Sequence, residues 1–513
     1  MAIVTQHTAE GSTQSVLRLH NPADQSFLYE LPVATPADVE QAVAKAREAQ
    51  KNWGALTVDN RVSYLLRLRD VIMESRDEIV QTVIGETGKP LQDAFVFEVL
   101  AVCDFITFYT KQARKLLKTK RRKVPGLLKF TKKVEVVYKP LGVVGVISPW
   151  NGPFVLTANP VIQALLAGNT VVAKGSEITP RSAGILQDLC ERAGFPEGVC
   201  QVLVGDGMTG AALTSADVDK ICFTGSVATG KKVATNCIEK LIPYTLELGG
   251  KDAMIVCADA DLDDAAHGAV WGSCVNTGHY CCGTERIYVE AAIYDAFVSK
   301  CVALAKSLNQ GQKHGFKEDL GAVFWDRQMT IIESHVADAI ERGAVANTGG
   351  QRLSDRDGLY FPATVMTNVD ESSDLIQKET FGPILPIIKV ANIEEAIAKA
   401  NDSCYGLHGN VWTKDIQKGR NIAARMETGS VSVNDISMIF GVPSAPFGGV
   451  KESGFGHSGG DEGLRSFCHA QPILFGRYGG HDVGYPYDEK SYKRLNKVLD
   501  FTYKNPVGKF FFG

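Results

Sequence analysis

Between Val143 and Gly250 the chain reads VVGVISPW (143–150), PFVLTANPVIQALLAG (153–168), TVVAK (170–174), TPRSAGILQDLCERAG (179–194), VCQVLVG (199–205), KICFTGS (220–226) and YTLELGG (244–250). The short runs are rich in β-branched residues, and the long ones repeat apolar residues at helical spacing. Strands alternating with helices of this length predict βαβ units and a parallel sheet. Ligands of such sheets sit beyond the carboxyl ends of the strands, so the loops there are expected to carry the function.

Upstream, the first 115 residues read as mainly helical. ATPADVEQAVAKAREAQ opens with Thr35 as N-cap, Pro36 at the first helical position and Asp38 three residues after the cap; Val39, Ala42, Val43 and Ala46 form its apolar stripe. The helical pattern continues from Asn60 and stops near Gly88 and Pro90. Its GETGKP lacks the spacing of a phosphate loop and reads as a helix end. Downstream, residues 251–448 form a second αβ segment with strand-like DAMIV, RIYVE and SVSVND. Lys111–Lys139 is very basic, with no acidic residue before Glu135. It reads as a solvated face beside a β-hairpin, with an anionic membrane surface as the alternative. The C-terminal stretch from Tyr485 is aromatic and partly amphipathic.

The bulk numbers exclude several classes. A length of 513 residues suits two or three domains, and a net charge of -4 gives no reason to expect nucleic acid as a partner. No apolar run approaches the ~18 residues of a membrane span, and the N-terminus lacks the pattern of a secretory signal, so a cytoplasmic protein is expected. Twelve cysteines without framework spacing read as mostly buried thiols, and none has the spacing of a metal site.

Two glycine patterns compete for cofactor phosphates. Gly205-Asp-Gly-Met-Thr-Gly210 has dinucleotide-fingerprint spacing but follows the third strand of the series rather than the first. Phe223-Thr-Gly-Ser-Val-Ala-Thr-Gly230 closes a strand and opens a helix, whose free N–H groups suit a pyrophosphate. Either could be a plain strand–helix turn. The loop Asn276-Thr-Gly-His-Tyr-Cys-Cys-Gly-Thr-Glu-Arg286 holds two adjacent cysteines. Composition alone reads them as small buried hydrophobes.

Taken in order, SPWNGP, FTGSVATG, TLELGGKDAMIV, KETFGPI and PFGGVKESGFG closely resemble the NAD(P)-dependent aldehyde dehydrogenase superfamily, over roughly residues 20 to 475. The resemblance aligns Asn276, Gly278, Cys281, Gly283 and Arg286 with the family's nucleophile loop. It implies Cys281 as nucleophile, with His279 standing where glutamine is usual. Asn151 then resembles the oxyanion amide, partnered by the backbone N–H of Cys281, and Glu247 the general base that activates water. Cofactor binding is implied for Ile147, Ser148, Trp150, Lys174, Ser176, Glu177, Gly207, Phe223, Gly225, Ser226, Thr229, Leu248, Glu379 and Phe381. Lys174 and Glu177 would hold the adenosine ribose, Gly225 and Ser226 the pyrophosphate, and Glu379 and Phe381 the nicotinamide end. A glutamate at the ribose favours NAD, while the resemblance also admits NADP. No metal is implied.

The implied fold is α/β and aldehyde dehydrogenase-like. Residues 1–118 and 141–249 would form a Rossmann-like NAD domain and 250–448 an αβ catalytic domain. Residues 119–140 and 449–480 would form a β-hairpin oligomerisation flap, with 481–513 as a C-terminal tail. A homodimer or homotetramer would bury the flap's edge strands. Gly152, Phe154, Val155, Leu156, Met438, Ile439 and Phe440 suggest a pocket for an apolar aldehyde, since no cation stands among them to pair with a carboxylate. The tail, with Phe510, Phe511 and Phe512, reads as an arm on a neighbouring subunit, with membrane contact as a lesser alternative. Two rival functions remain: an enzyme passing its acyl group to coenzyme A, and a silent family member serving as a binding or structural protein.

Overall fold

The computed structural model describes residues 2–7, 13–126, 128–311, 316–436, 438–476, 485 and 487–512. Three antiparallel strands, β1 (Ala2–His7), β2 (Thr13–His20) and β3 (Phe27–Pro32), open the chain ahead of the helices. The sequence shows little sign of them, because β2 buries Val16, Leu17 and Leu19 without strict alternation. The helix Pro36–Ala55 begins with the Thr35–Asp38 capping box and buries the stripe Val39, Ala42, Val43 and Ala46. The second helical stretch divides into Val58–Glu74 and Arg76–Thr87. It ends at Gly88, whose φ of 65° is the left-handed cap expected of a helix end.

Strands β4 (Lys120–Arg122) and β5 (Lys132–Pro140) form the hairpin. Five parallel strands follow: β6 (Val143–Ile147), β7 (Thr170–Lys174), β8 (Cys200–Leu203), β9 (Lys220–Thr224) and β10 (Tyr244–Glu247). Their spatial order is β10-β9-β6-β7-β8, so the chain winds outward from β6 and then restarts on its other side. That reversal opens a crevice beyond the carboxyl ends of β6 and β9, the position where doubly wound sheets take ligands.

A second sheet contains β11 (Asp252–Val256), β12 (Thr284–Glu290), β13 (Val345–Ala346), β14 (Thr364–Thr367), β15 (Ile384–Val390), β16 (His408–Trp412) and β17 (Ser430–Val433). Its order is β13-β14-β15-β12-β11-β16-β17, parallel except for β13. Only four residues separate β10 from β11, which ties the two sheets together at Glu247. Strand β18 (Gly454–Phe455) pairs antiparallel with β10, and β19 (Cys468–Gly476) pairs antiparallel with β5. The return segment predicted for the flap from residue 449 therefore first completes the cofactor sheet, and reaches the hairpin only at Cys468. Residues 477–480 of that segment, and 481–484, 486 and 513 of the tail, lie outside the described residues.

Candidate active site

A cleft of about 670 Å³ opens over the β6–β9 crevice. Ile147, Ser148 and Trp150 line it from the end of β6, and Lys174, Ser176 and Glu177 from the end of β7. Gly207 joins from the start of the helix Gly207–Ser215, and Phe223, Gly225, Ser226 and Thr229 from the β9 turn. Leu248, Glu379 and Phe381 complete the predicted set, and Asn151, Glu247 and Cys281 line the same cleft. Ser226 caps the helix Val227–Glu239, accepting from the Thr229 N–H at 3.4 Å, so that helix's N-terminus faces the cleft. Lys174 Nζ lies 3.1 Å from Glu177 Oε2. A pyrophosphate suits the helix N-terminus and a ribose the Glu177 carboxylate, so the residues present fit a nicotinamide dinucleotide. Among the described residues, no group of three His, Cys, Asp or Glu could hold a metal.

The cysteine loop feeds the amino end of β12. Asn276, Thr277 and Gly278 take left-handed φ values of 54°, 57° and 76° in succession. Non-glycine residues held there store strain, which persists only where neighbours enforce it. Here the Asn276 N–H donates to Asp93 Oδ2 at 3.0 Å, while its Nδ2 donates to the carbonyl oxygens of Asn151 at 2.9 Å and His279 at 2.8 Å. A Cβ on Gly278 would stand 2.1 Å from the Gly382 carbonyl carbon, so the loop also needs glycine for close packing. Cys281 is half-buried and borders the cleft. Cys282 is fully buried against Leu407 and Phe447, and burial pushes its thiol well above the usual range.

His279 faces away from that chemistry. Its ring packs 4.4 Å from Phe324 and 5.1 Å from Trp150 between centroids, and burial lowers its pKa to about 3. With Nδ1 at 3.0 Å from the Asn276 carbonyl oxygen it is a neutral donor bracing the turn.

Asn151 is buried, and its Nδ2 donates to the His279 carbonyl oxygen at 3.1 Å. What holds it was not foreseen in the sequence. Lys89, just past the Gly88 helix end, forms a fully buried ion pair with Glu98 at 2.7 Å and donates to the Asn151 carbonyl oxygen at 3.0 Å. Glu98 in turn accepts the N–H groups of Phe154 at 3.0 Å and Val155 at 2.9 Å. Glu98 sits in a seven-residue π-helix, Ala94–Leu100, a wider turn frequent at functional sites.

Glu247 ends β10. Its Oε1 accepts from the Ser458 N–H at 3.1 Å, and its Oε2 is shielded from solvent without a hydrogen-bond partner. Desolvation first, and the nearby Cys281 second, push its pKa well above the usual carboxylate range, against the Ser458 contact. The glycines after it permit close approach: a Cβ on Gly249 would lie 2.4 Å from Glu379 Oε2, and one on Gly250 2.6 Å from the Cys281 carbonyl oxygen.

Glu379 accepts from the Gly250 N–H at 3.0 Å, and desolvation with neighbouring Glu285 raises its pKa to about 8. Its loop hangs on Glu285, which accepts the N–H groups of Thr380 at 2.7 Å and Phe381 at 2.9 Å and pairs with buried Lys251. Gln328 also donates to the Thr380 carbonyl oxygen at 2.8 Å. Phe381 is held at a φ of 53°. Glu285, Lys251 and Gln328 were not foreseen in the sequence.

On the far side of Cys281 a pocket of about 110 Å³ is lined by Val96, Phe97, Leu100, Gly152, Val155, Leu156, Tyr280, Met438 and Phe440; among the described residues Asp104 is its only carboxylate, and no lysine or arginine lines it. Phe154, expected here, is instead fully buried in the core of the cofactor domain. Ile439 packs beside the buried Cys282 cluster rather than lining the pocket.

Two parallel sheets joined at a glutamate and facing a cysteine loop define an α/β enzyme with a dinucleotide cleft. A family model described as the aldehyde dehydrogenase family matches residues 8–473, and the chain belongs to that family. It is 36% identical to a 4,4'-diapolycopene aldehyde oxidase of Methylomonas sp, over 94% of this chain and 90% of that one. It is 39% identical to a Mycobacterium ulcerans protein provisionally named succinate-semialdehyde dehydrogenase [NADP(+)] 2, over 87% and 86% of the two chains. The crystal structure of a Mycobacterium tuberculosis aldehyde dehydrogenase complexed with NAD+ superposes with a TM-score of 0.86 at 35% identity, covering 91% of this chain and 96% of that one.

Proposed function

We propose that this enzyme oxidises an apolar aldehyde to its carboxylic acid, with Cys281 as nucleophile and NAD preferred over NADP. The observation that carries the reading is the convergence of Cys281, Glu247 and Asn151 on the cleft lined by all the cofactor candidates. Cys281 Sγ bonds to the carbonyl carbon, and the resulting oxyanion accepts from Asn151 Nδ2, which the Lys89–Glu98 pair keeps in place. Glu177, Ser226 and Glu379 would hold a nicotinamide dinucleotide, which would supply the acceptor for the hydride that leaves the Cys281-bound carbon as the thioester forms. Glu247 then takes a proton from the water that cleaves the thioester, a role suited to a desolvated carboxylate with its pKa raised. A base at that position favours hydrolysis over transfer to coenzyme A. Glu177 at the ribose end favours NAD, although the Mycobacterium ulcerans relative is named for NADP(+). A pocket with no lysine or arginine among its described lining residues favours an apolar aldehyde over a semialdehyde acid. The open edge of β19 suits pairing in a homodimer or homotetramer.

The test is formation of NADH and NADPH with a panel of apolar and carboxylated aldehydes, for the native enzyme and for Cys281→Ala. Turnover favouring NAD and apolar aldehydes and lost in Cys281→Ala is expected. Turnover that survives Cys281→Ala, or appears only with coenzyme A, refutes the reading.

A further inference from the structure

The basic hairpin and the C-terminal helices take no part in this chemistry. Between Lys118 and Lys133 stand eight lysines and arginines and no acidic residue, in a chain whose net charge is -4. From Glu489 to Phe511 six basic residues stand against two acidic ones. The fold brings the two segments together: Lys129 Nζ donates to the Phe511 carbonyl oxygen at 2.8 Å.

The helix Glu489–Tyr503 is amphipathic. Lys490, Lys493, Arg494 and Lys497 share one face at helical spacing. Tyr492, Leu495, Leu499 and Tyr503 share another and are each more than half exposed. Phe510 is 83% and Phe511 59% exposed, and from the hairpin Leu128 and Phe130 add 53% and 54%. Exposed apolar side chains gathered on neighbouring segments mark an interaction surface.

We propose that this face docks on an anionic lipid membrane, with its aromatic residues in the headgroup–acyl boundary and its basic residues on lipid phosphates. A low-hydrophobicity helix with a basic face opposite a Tyr/Leu/Phe face is the pattern of a helix lying in the interface plane. Among the described residues no helix is long and apolar enough to cross a membrane, so the attachment is peripheral. A second copy of the chain is the weaker occupant. A two-fold interface built on this patch would bring two strongly basic surfaces together, with like charges close enough to repel. The proposal is independent of the reaction assigned above.

The full-length protein is sedimented with vesicles of phosphatidylcholine alone and of phosphatidylcholine mixed with phosphatidylserine, at low and high salt. Binding is expected to be at least ~10-fold tighter to the mixed vesicles at low salt and lost at high salt. Charge reversal of Lys490, Lys493, Arg494 and Lys497 to Glu is expected to weaken it about 100-fold or more. Phe510→Ser with Phe511→Ser is expected to weaken binding to both vesicle types. Turnover of a short soluble aldehyde, unchanged in every variant, shows that the fold is intact. Equal or absent binding to the two vesicles overturns the proposal. So does a fall in oligomeric state of the serine variant by light scattering, which assigns the face to a second copy.

Discussion

Replacing Lys89 with methionine tests whether the buried pair it forms with Glu98 sets the oxyanion site. Both side chains are fully buried, at 2.7 Å, and the pair supports three further contacts: Lys89 to the Asn151 carbonyl oxygen, and the Phe154 and Val155 N–H groups to Glu98. Methionine fills similar volume but leaves Glu98 charged and unpaired in the interior. Breaking such a pair costs about 3–5 kcal/mol. If the cofactor domain melts as a unit of roughly 200 residues, each kcal/mol lowers Tm by about 2–4 °C, giving a drop of about 6–20 °C. The double variant Lys89→Met/Glu98→Gln removes the stranded charge and recovers part of that drop. Its kcat stays low, because Asn151 has still lost the donor behind its carbonyl. Losing one oxyanion donor outright costs about 100–1000-fold in kcat, which bounds the effect from above. The assays are a thermal melt and steady-state NADH formation on the single and double variants. A Tm shift under ~2 °C, or kcat within twofold of native in both variants, would refute the reasoning.

Cysteine labelling separates the two candidate thiols. Iodoacetamide is expected to modify Cys281, and Cys282→Ala to keep the same labelling, because Cys282 is buried and its thiol stays protonated. Mass spectrometry of the labelled peptide decides, and label on Cys282 alone would overturn the assignment. Glu247→Gln is expected to give a burst of one NADH per active site, then turnover slowed about 100–10,000-fold. In the native enzyme, deacylation should rise with pH through an ionisation above the usual carboxylate range, because Glu247 must lose its proton to act and desolvation holds it on. A pH-independent deacylation step refutes this. Glu379 bears on stability. Its pKa is raised to about 8, so its contribution is complete below the ordinary carboxylate pKa and lost as pH rises through about 8. Tm of Glu379→Gln should fall less than native Tm over that window. Asp104→Asn is expected to raise kcat/KM for carboxylated aldehydes a few-fold, by removing a like charge from the pocket, and to leave apolar aldehydes unchanged.

What the sequence showed and what it hid divide along contact range. Strand–turn–helix segments such as FTGS and LELGG are short, contiguous motifs, so the family resemblance they carry pointed to residues that line the cleft. The supports could not. Lys89 meets Asn151 across 62 positions, Glu98 meets Phe154 across 56, and Glu285 meets Phe381 across 96. Periodicity reports which face of an element is apolar, and it is silent about which distant polar group satisfies a buried charge. GETGKP shows the limit: read locally, it is a helix end, and Gly88 does cap that helix with a left-handed φ. The same turn also delivers Lys89 into the interior, where an uncompensated ammonium would be costly. A buried lysine must therefore have a carboxylate and acceptors waiting, and in this chain those acceptors include the backbone of the residue proposed to stabilise the oxyanion. Tight packing beneath Asn151 and strain in the 276–278 turn have the same consequence. Both keep the amide and the thiol in place before substrate arrives, so little reorganisation remains at the moment of reaction.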